Sequence, residues 1–251
     1  MAARFILAQI SDLHVTNDPA GDNAASLARA LKTLGPYRPD LIIATGDLVN
    51  SAKRDEYAVL APLLADPPAP VYLLPGNHDD RDHLRATFPH HDYLPAHGRL
   101  SYVVDDYAVR VIALDQIVPG QTGGAFEADE ADWLHAELGK APDKPTLIAL
   151  HHHPFDTQDA LFDTIGLEGR DLFEKVVARH PQVQLVVAGH HHRVAHGKVA
   201  QAPAVIAPST AFTYSLSLRP DQPIARKSTE TGFALHVWPQ SGPPMSHFIS
   251  L

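Results

Sequence analysis

The chain has 251 residues, a formal charge of −9 at neutral pH, and 17 histidines but no cysteine. That length is enough for one large α/β core, the absence of cysteine excludes disulfides, thiolate metal ligands and cysteine nucleophiles, and the acidic balance without a Lys/Arg run argues against long nucleic acid as a partner. No stretch reaches the ~20 apolar residues of a membrane-spanning helix, and the first apolar run is too short for a signal peptide, so a cytoplasmic protein without a membrane partner is expected.

Apolar runs alternate with segments of helical period, the pattern of a layered α/β fold. The first expected strand, Phe5–Ile10, is followed by Asp12-Leu13-His14, a carboxylate and an imidazole that project to the same side of an extended chain. A helix over Asn23–Leu34 places Leu27, Ala30, Leu31 and Leu34 on one face. The strand Leu41–Ala44 then runs into Gly46-Asp47-Leu48, where glycine permits a sharp bend that leaves Asp47 at the mouth of a sheet. Taken alone, each of these polar clusters reads as an ordinary turn.

A second helix is expected over Lys53–Leu64, carrying Tyr57, Leu60 and Leu64 on its apolar face. The strand Val71–Leu74 ends at Gly76-Asn77-His78-Asp79, a run that packing does not explain and whose asparagine is an uncommon ligand through its amide oxygen. Strands Ser101–Val104 and Ala108–Leu114 precede a helix at Asp129–Leu138. The strand Thr146–Leu150 ends at His151-His152-His153-Pro154. A helix at Gly169–Ala178 leads to the strand Leu185–Ala188 and Gly189-His190-His191-His192. Short strands at Ala204–Ala207, Phe233–Val237 and Met245–Ile249 follow, with 219–231 as a long surface loop. No repeat or domain boundary stands out, so residues 1–251 read as a single domain.

Each polar cluster follows a strand, and sites in open α/β sheets gather beyond the carboxyl ends of strands. Together the clusters offer carboxylates, an amide oxygen and several imidazoles, a donor mixture that suits Mn, Fe or Zn better than Ca or Mg. One ion cannot use them all, whereas two can if a carboxylate bridges them. Ions ~3.5–4 Å apart clamp a phosphoryl oxygen and lower the pKa of a bound water, so the implied reaction is hydrolysis of a phosphate ester.

In combination, Asp12-x-His14, Gly46-Asp47, Gly76-Asn77-His78-Asp79, His151 and Gly189-His190-x-His192 resemble the full signature of the calcineurin-like metallophosphoesterases, in the family's order. The resemblance implies a four-layer α-β-β-α fold, two packed mixed sheets flanked by helices. It implies that Asp12, His14, Asp47 and His192 hold one metal ion and that Asp47, Asn77, His151 and His190 hold the other, with Asp47 as the bridge. His78 would contact the phosphate, Asp79 would orient His78, and a metal-bridging hydroxide would be the nucleophile. His152 is the alternative to His151, because relatives place the ligand first in a His-His-Pro-Pro run, and His191 occupies a variable position.

Further likeness, in Asp80-Arg81, Leu84, Phe88 and Ala207-Pro208-Ser209-Thr210, is to the class III cyclic nucleotide phosphodiesterase branch. It implies a small-molecule phosphodiester substrate, with 3′,5′-cyclic nucleotides such as cAMP the leading expectation. A glycerophosphodiesterase, phosphomonoesterase or nuclease of the same fold is the alternative, and a non-catalytic metal-binding scaffold is the reading from a different class. Residues 207–251 are expected as a C-terminal extension near the site or as the contact of a homodimer. Phe212 and Tyr214 would line a pocket or pack in a core or interface.

Overall fold

Residues 5–10 are buried along their whole length, a pattern that only a strand covered on both faces produces. The computed structural model describes residues 4–251. The chain begins with β1 (Phe5–Ile10), α1 (Asp22–Leu34), β2 (Leu41–Thr45), α2 (Arg54–Leu63), β3 (Val71–Leu74) and α3 (Arg81–Thr87). It continues through β4 (Tyr102–Val104), β5 (Arg110–Leu114), β6 (Gly124–Ala125), α4 (Ala128–Gly139), β7 (Thr146–Leu150), β8 (Leu167–Glu168), α5 (Arg170–Val177) and β9 (Val183–Ala188). The remaining strands are β10 (Ala195–Val199), β11 (Ala202–Ile206), β12 (Thr213–Tyr214), β13 (Arg226–Lys227), β14 (Gly232–Trp238) and β15 (Met245–Ser250).

Two mixed sheets form, ordered β15-β14-β1-β2-β3 and β10-β11-β9-β7-β5-β4. The period of two along each strand sorts side chains between layers. Ile6, Ala8 and Ile10 join Leu27, Leu31, Tyr57 and Leu60 of α1 and α2 in one core. Phe5 and Leu7 point the other way and meet Val111, Ala113, Leu147 and Leu185 of the second sheet. The far face of that sheet, with Ile112, Leu114, Ile148 and Leu150, packs on Leu134, Leu138, Phe173 and Val177 of α4 and α5. The result is the expected four-layer α-β-β-α arrangement.

Gln9 takes an inward position between the sheets and is fully buried. Its amide nitrogen donates to Thr45 Oγ1 and to the Ala188 carbonyl, both at 2.9 Å, and its oxygen lies 3.0 Å from His236 Nε2. His236 Nδ1 in turn lies 2.7 Å from Ser246 Oγ. A buried polar group must be satisfied, and here satisfaction ties the end of β9 to β1 and β2 just below the polar strand ends.

The structure adds elements to the sequence expectation. Helix α3 begins at Asp80, whose carboxylate accepts from the backbone N–H groups of Asp82 and His83, but it buries only Leu84 and so shows no helical stripe. The expected loop at 219–231 contains β13, which pairs with β12. Residues 207–251 supply β14 between β15 and β1. Among the described residues, no helix is long and apolar enough to cross a membrane.

Candidate metal centre

Five strands deliver the polar clusters to one place: β1 leads to Asp12 and His14, β2 to Asp47, β3 to Asn77 and His78, β7 to His151, and β9 to His190 and His192. The backbone turns sharply there. Asp12, His14, Asp47, His190 and His192 all have left-handed φ, between 44° and 69°, a region that non-glycine residues seldom occupy and that costs on the order of 1–3 kcal/mol each. Hydrogen bonds hold the turns: the N–H groups of Asp12 and His14 donate to the carbonyls of Gly46 and Asp47. Gly76 is needed where strand ends crowd, since a Cβ on it would lie 2.3 Å from the Asp47 nitrogen and from Asp47 Oδ1.

Asp12, His14, Asp47 and His192 are all buried, and their donor atoms form one group. His14 Nε2 lies 3.1 Å from His192 Nε2 and 3.5 Å from Asp47 Oδ2, and His192 Nε2 lies 3.5 Å from Asp12 Oδ1. His192 Nδ1 lies 2.8 Å from the Phe212 carbonyl. A carbonyl can only accept, so the ring proton sits on Nδ1 and the Nε2 lone pair faces the group.

A second group consists of His151, His152 and His190. His151 Nδ1–H donates to the Thr45 carbonyl at 2.8 Å, which aims Nε2 at Asp47 Oδ1 (3.3 Å) and Asn77 Oδ1 (3.2 Å). His190 Nε2–H donates to the Ile165 carbonyl at 3.0 Å, leaving Nδ1 as its lone-pair atom. Asp47 stands between the groups, with Oδ2 toward His14 and Oδ1 toward His151. His152 Nε2 lies 3.2 Å from the Thr122 carbonyl.

The electrostatics are those of a cage of buried donors. Burial pushes the Asp12 carboxyl up to about 7, against the pull of His151 and with the push of Asp47. Burial likewise lowers His14 to about 4; Asp47 opposes this, while His78, His151 and Arg226 add to it. His190 and His192 are held well below the ordinary range, first by burial and then by neighbouring imidazoles. His151 goes up to about 9 because the carboxylates of Asp47 and Asp12, with the hydrogen bonds to Asp47 and Thr45, outweigh its burial. Asp47 is held well below its usual value: burial pushes it up, but His151, His14 and His78 prevail.

Imidazoles with fixed ring orientations, of which His14, His190 and His192 are held neutral and His151 would give up its proton to a cation, fit divalent ions together with two close carboxylates. The N···N and N···O separations of 3.1–3.5 Å are near the roughly 3.4 Å polyhedral edge that metal–ligand bonds of ~2.1 Å require. Asp47 belongs to the first group and turns its other oxygen toward His151 of the second.

His78 is half-exposed at the mouth. Its Nδ1–H donates to the Asn50 carbonyl at 2.7 Å, its Nε2 lies 4.0 Å from Asp47 Oδ2, and its backbone N–H donates to Asp47 Oδ1 at 2.9 Å. The Asn50 carbonyl takes this ring's hydrogen bond, and Asp79, expected to orient His78, makes no direct hydrogen bond to the ring. Asp79 is buried and accepts from the N–H groups of Gly76, Leu48 and Val49 and from the Tyr57 hydroxyl. It fastens the loop of Asp47 to the loop of His78. Burial, with Asp47 nearby, raises its carboxyl to about 6.

Sequence reasoning did not single out Thr45 or Asn50, whose roles fall to backbone carbonyls, and it marked Ser209 only as part of the Ala207-Pro208-Ser209-Thr210 run. Ser209 Oγ–H donates to the Asp12 carbonyl at 2.8 Å. Phe212 packs its ring 4.9 Å from His14 and 4.6 Å from His192. His191 points away from both groups, with Nε2 3.6 Å from Asp159 Oδ2.

Comparison with known proteins agrees with this geometry. The profile of the family described as Calcineurin-like phosphoesterase matches residues 5–194. The glycerophosphodiester phosphodiesterase GpdQ of Enterobacter lignolyticus is 32% identical over 217 residues, covering 82% of this chain and 77% of that protein. The 3′,5′-cyclic adenosine monophosphate phosphodiesterase CpdA of Pseudomonas aeruginosa is 29% identical over 220 residues, covering 85% and 79%. A dimetal phosphatase from Danio rerio shares the fold with a TM-score of 0.66 at 15% identity, covering 96% of this chain and 98% of that one.

Proposed function

Because the chain belongs to the calcineurin-like phosphoesterases and is a metal-dependent phosphate ester hydrolase, we propose that it is a phosphodiesterase acting on small diesters, with 3′,5′-cyclic nucleotides such as cAMP as the leading substrates. The observation that carries the reading is Asp47, whose two oxygens face two separate groups of buried donors. Residues 1–251 act as one domain in this reading.

Asp12, His14, Asp47 and His192 would hold one ion, and Asp47, Asn77, His151 and His190 would hold the other. His151 is favoured over His152 because its free ring nitrogen is directed at both Asp47 and Asn77. Without thiolate and with mixed nitrogen and oxygen donors, the site suits Fe, Mn or Zn. When bound, such a pair supplies Lewis acidity toward a phosphoryl oxygen and a water of lowered pKa.

The chain's own residues do the rest. His78, anchored through Nδ1, presents Nε2 at the mouth, where it contacts the phosphoryl group and, as the imidazolium, donates its proton to the leaving alkoxide. Asp79 and Tyr57 hold the His78 loop against the Asp47 loop. The names of relatives such as GpdQ and CpdA favour a diester over a monoester substrate. A panel of 3′,5′- and 2′,3′-cyclic nucleotides, glycerophosphodiesters, phosphonate esters and monoesters on metal-reconstituted protein tests this. Diesters should be turned over well ahead of monoesters, and the reverse order would contradict the reading.

A further inference from the structure

Above the first donor group lies a layered arrangement that metal binding does not require. Phe212 covers His14 and His192, and Arg226 covers Phe212, its guanidinium carbon 3.6 Å from the ring centroid. Arg226 comes from the β12–β13 ribbon, in which Tyr214 pairs with Arg226 and Thr213 with Lys227. Directly opposed residues share a face of such a ribbon. Tyr214 faces the donors, 5.1 Å from the His192 ring, so Arg226 faces them too and Lys227 faces away.

The ribbon is fastened in place. Arg193, next to His192, donates to the Tyr214 carbonyl at 2.9 Å and pairs with Glu230 at 3.2 Å. Thr213 Oγ1–H donates to the Thr229 carbonyl, and the Ser215 N–H to that of Ala225.

Arg193, which fastens the ribbon, pairs with Glu230, whereas among the described residues Arg226 makes no ion pair and no side-chain hydrogen bond. It is exposed, in a chain of charge −9. Its guanidinium carbon lies over the Phe212 ring while the residue as a whole is exposed. A guanidinium stacked this way is a rigid plate that accepts a second flat group. Phe212 lies against His14 and His192 of the first donor group, so the plate stands one aromatic ring away from those imidazoles.

We infer that Arg226, seated on Phe212 and flanked by Tyr214, stacks on the nucleobase of a nucleoside phosphodiester. The inference rests on the phosphodiesterase reading and names its substrate class: an alcohol with an aromatic plane gains from the plate, whereas glycerol or ethanolamine does not.

The test is calorimetric titration of the metal-loaded protein with 5′-AMP and with inorganic phosphate, using wild type, Arg226→Ala, Arg226→Lys and Lys227→Ala. Metal content and circular dichroism establish that each variant is folded. Arg226→Ala should lower the affinity for AMP relative to phosphate about tenfold. Arg226→Lys, which keeps the charge but loses the plane, should not restore the ratio, and Lys227→Ala should keep it. With 3′,5′-cAMP, the Arg226→Ala loss should appear in KM and not in kcat. An unchanged ratio in Arg226→Ala, an equal fall for AMP and phosphate, full recovery in Arg226→Lys, or an equal effect of Lys227→Ala would each overturn the inference. Turnover of bis(p-nitrophenyl) phosphate by the wild type judges the phosphodiesterase reading separately, since the AMP titrations do not depend on catalysis.

Discussion

At the scale of single residues, Asp47 and His78 divide the work between holding ions and handling the phosphate. Asp47 faces both donor groups and also accepts the His78 backbone N–H, so Asp47→Ala should lose metal from both groups; elemental analysis should find well below two equivalents. His78 touches neither group through a short side-chain contact, and His78→Ala should keep the metals while turnover of a chromogenic diester falls about 10²–10⁴-fold. Near-wild-type turnover would remove His78 from the chemistry. The residues brought together here were legible in the sequence because each follows an apolar strand and is polar without a packing reason. What was not legible is how they are aimed: Thr45, Ile165 and Phe212 orient imidazoles through backbone carbonyls, and any residue type carries a carbonyl.

At the scale of elements, the parallel strands were the most readable part, because burial on both faces leaves continuous apolar runs such as 41–45 and 146–150. Helices α1, α2, α4 and α5 showed their stripes. Helix α3 did not, being short, and neither did the β12–β13 ribbon, whose two-residue strands lie in a polar segment. Strand ends that approach this closely demand glycine at 76. Gly76→Ala would drive a methyl group into Asp47, and the expected result is a loss of about 1–3 kcal/mol of stability together with weaker metal retention. Denaturant unfolding with and without metal measures both.

At the scale of the molecule, the centre lies where two sheets meet, and the polar seam through Gln9 and His236 registers one against the other. His236 is neutral in this seam, because burial, helped by His247, lowers it to about 3 from 6.5. The unfolded chain takes up this proton at the ordinary value and the folded chain does not, so stability is lost as pH falls from 6.5 toward 3, at up to about 1.4 kcal/mol per pH unit. His236→Gln should flatten that slope, as read by denaturation at stepped pH. Metal bound only by the folded state stabilises it by mass action, so chelation should lower the melting temperature and restored metal should raise it again. The most direct test of the whole account is a metal titration of stripped protein that follows bound metal and phosphodiester turnover together. Turnover should become maximal as the second equivalent fills, whereas full activity at one equivalent, or none at two, would contradict a dinuclear phosphodiesterase.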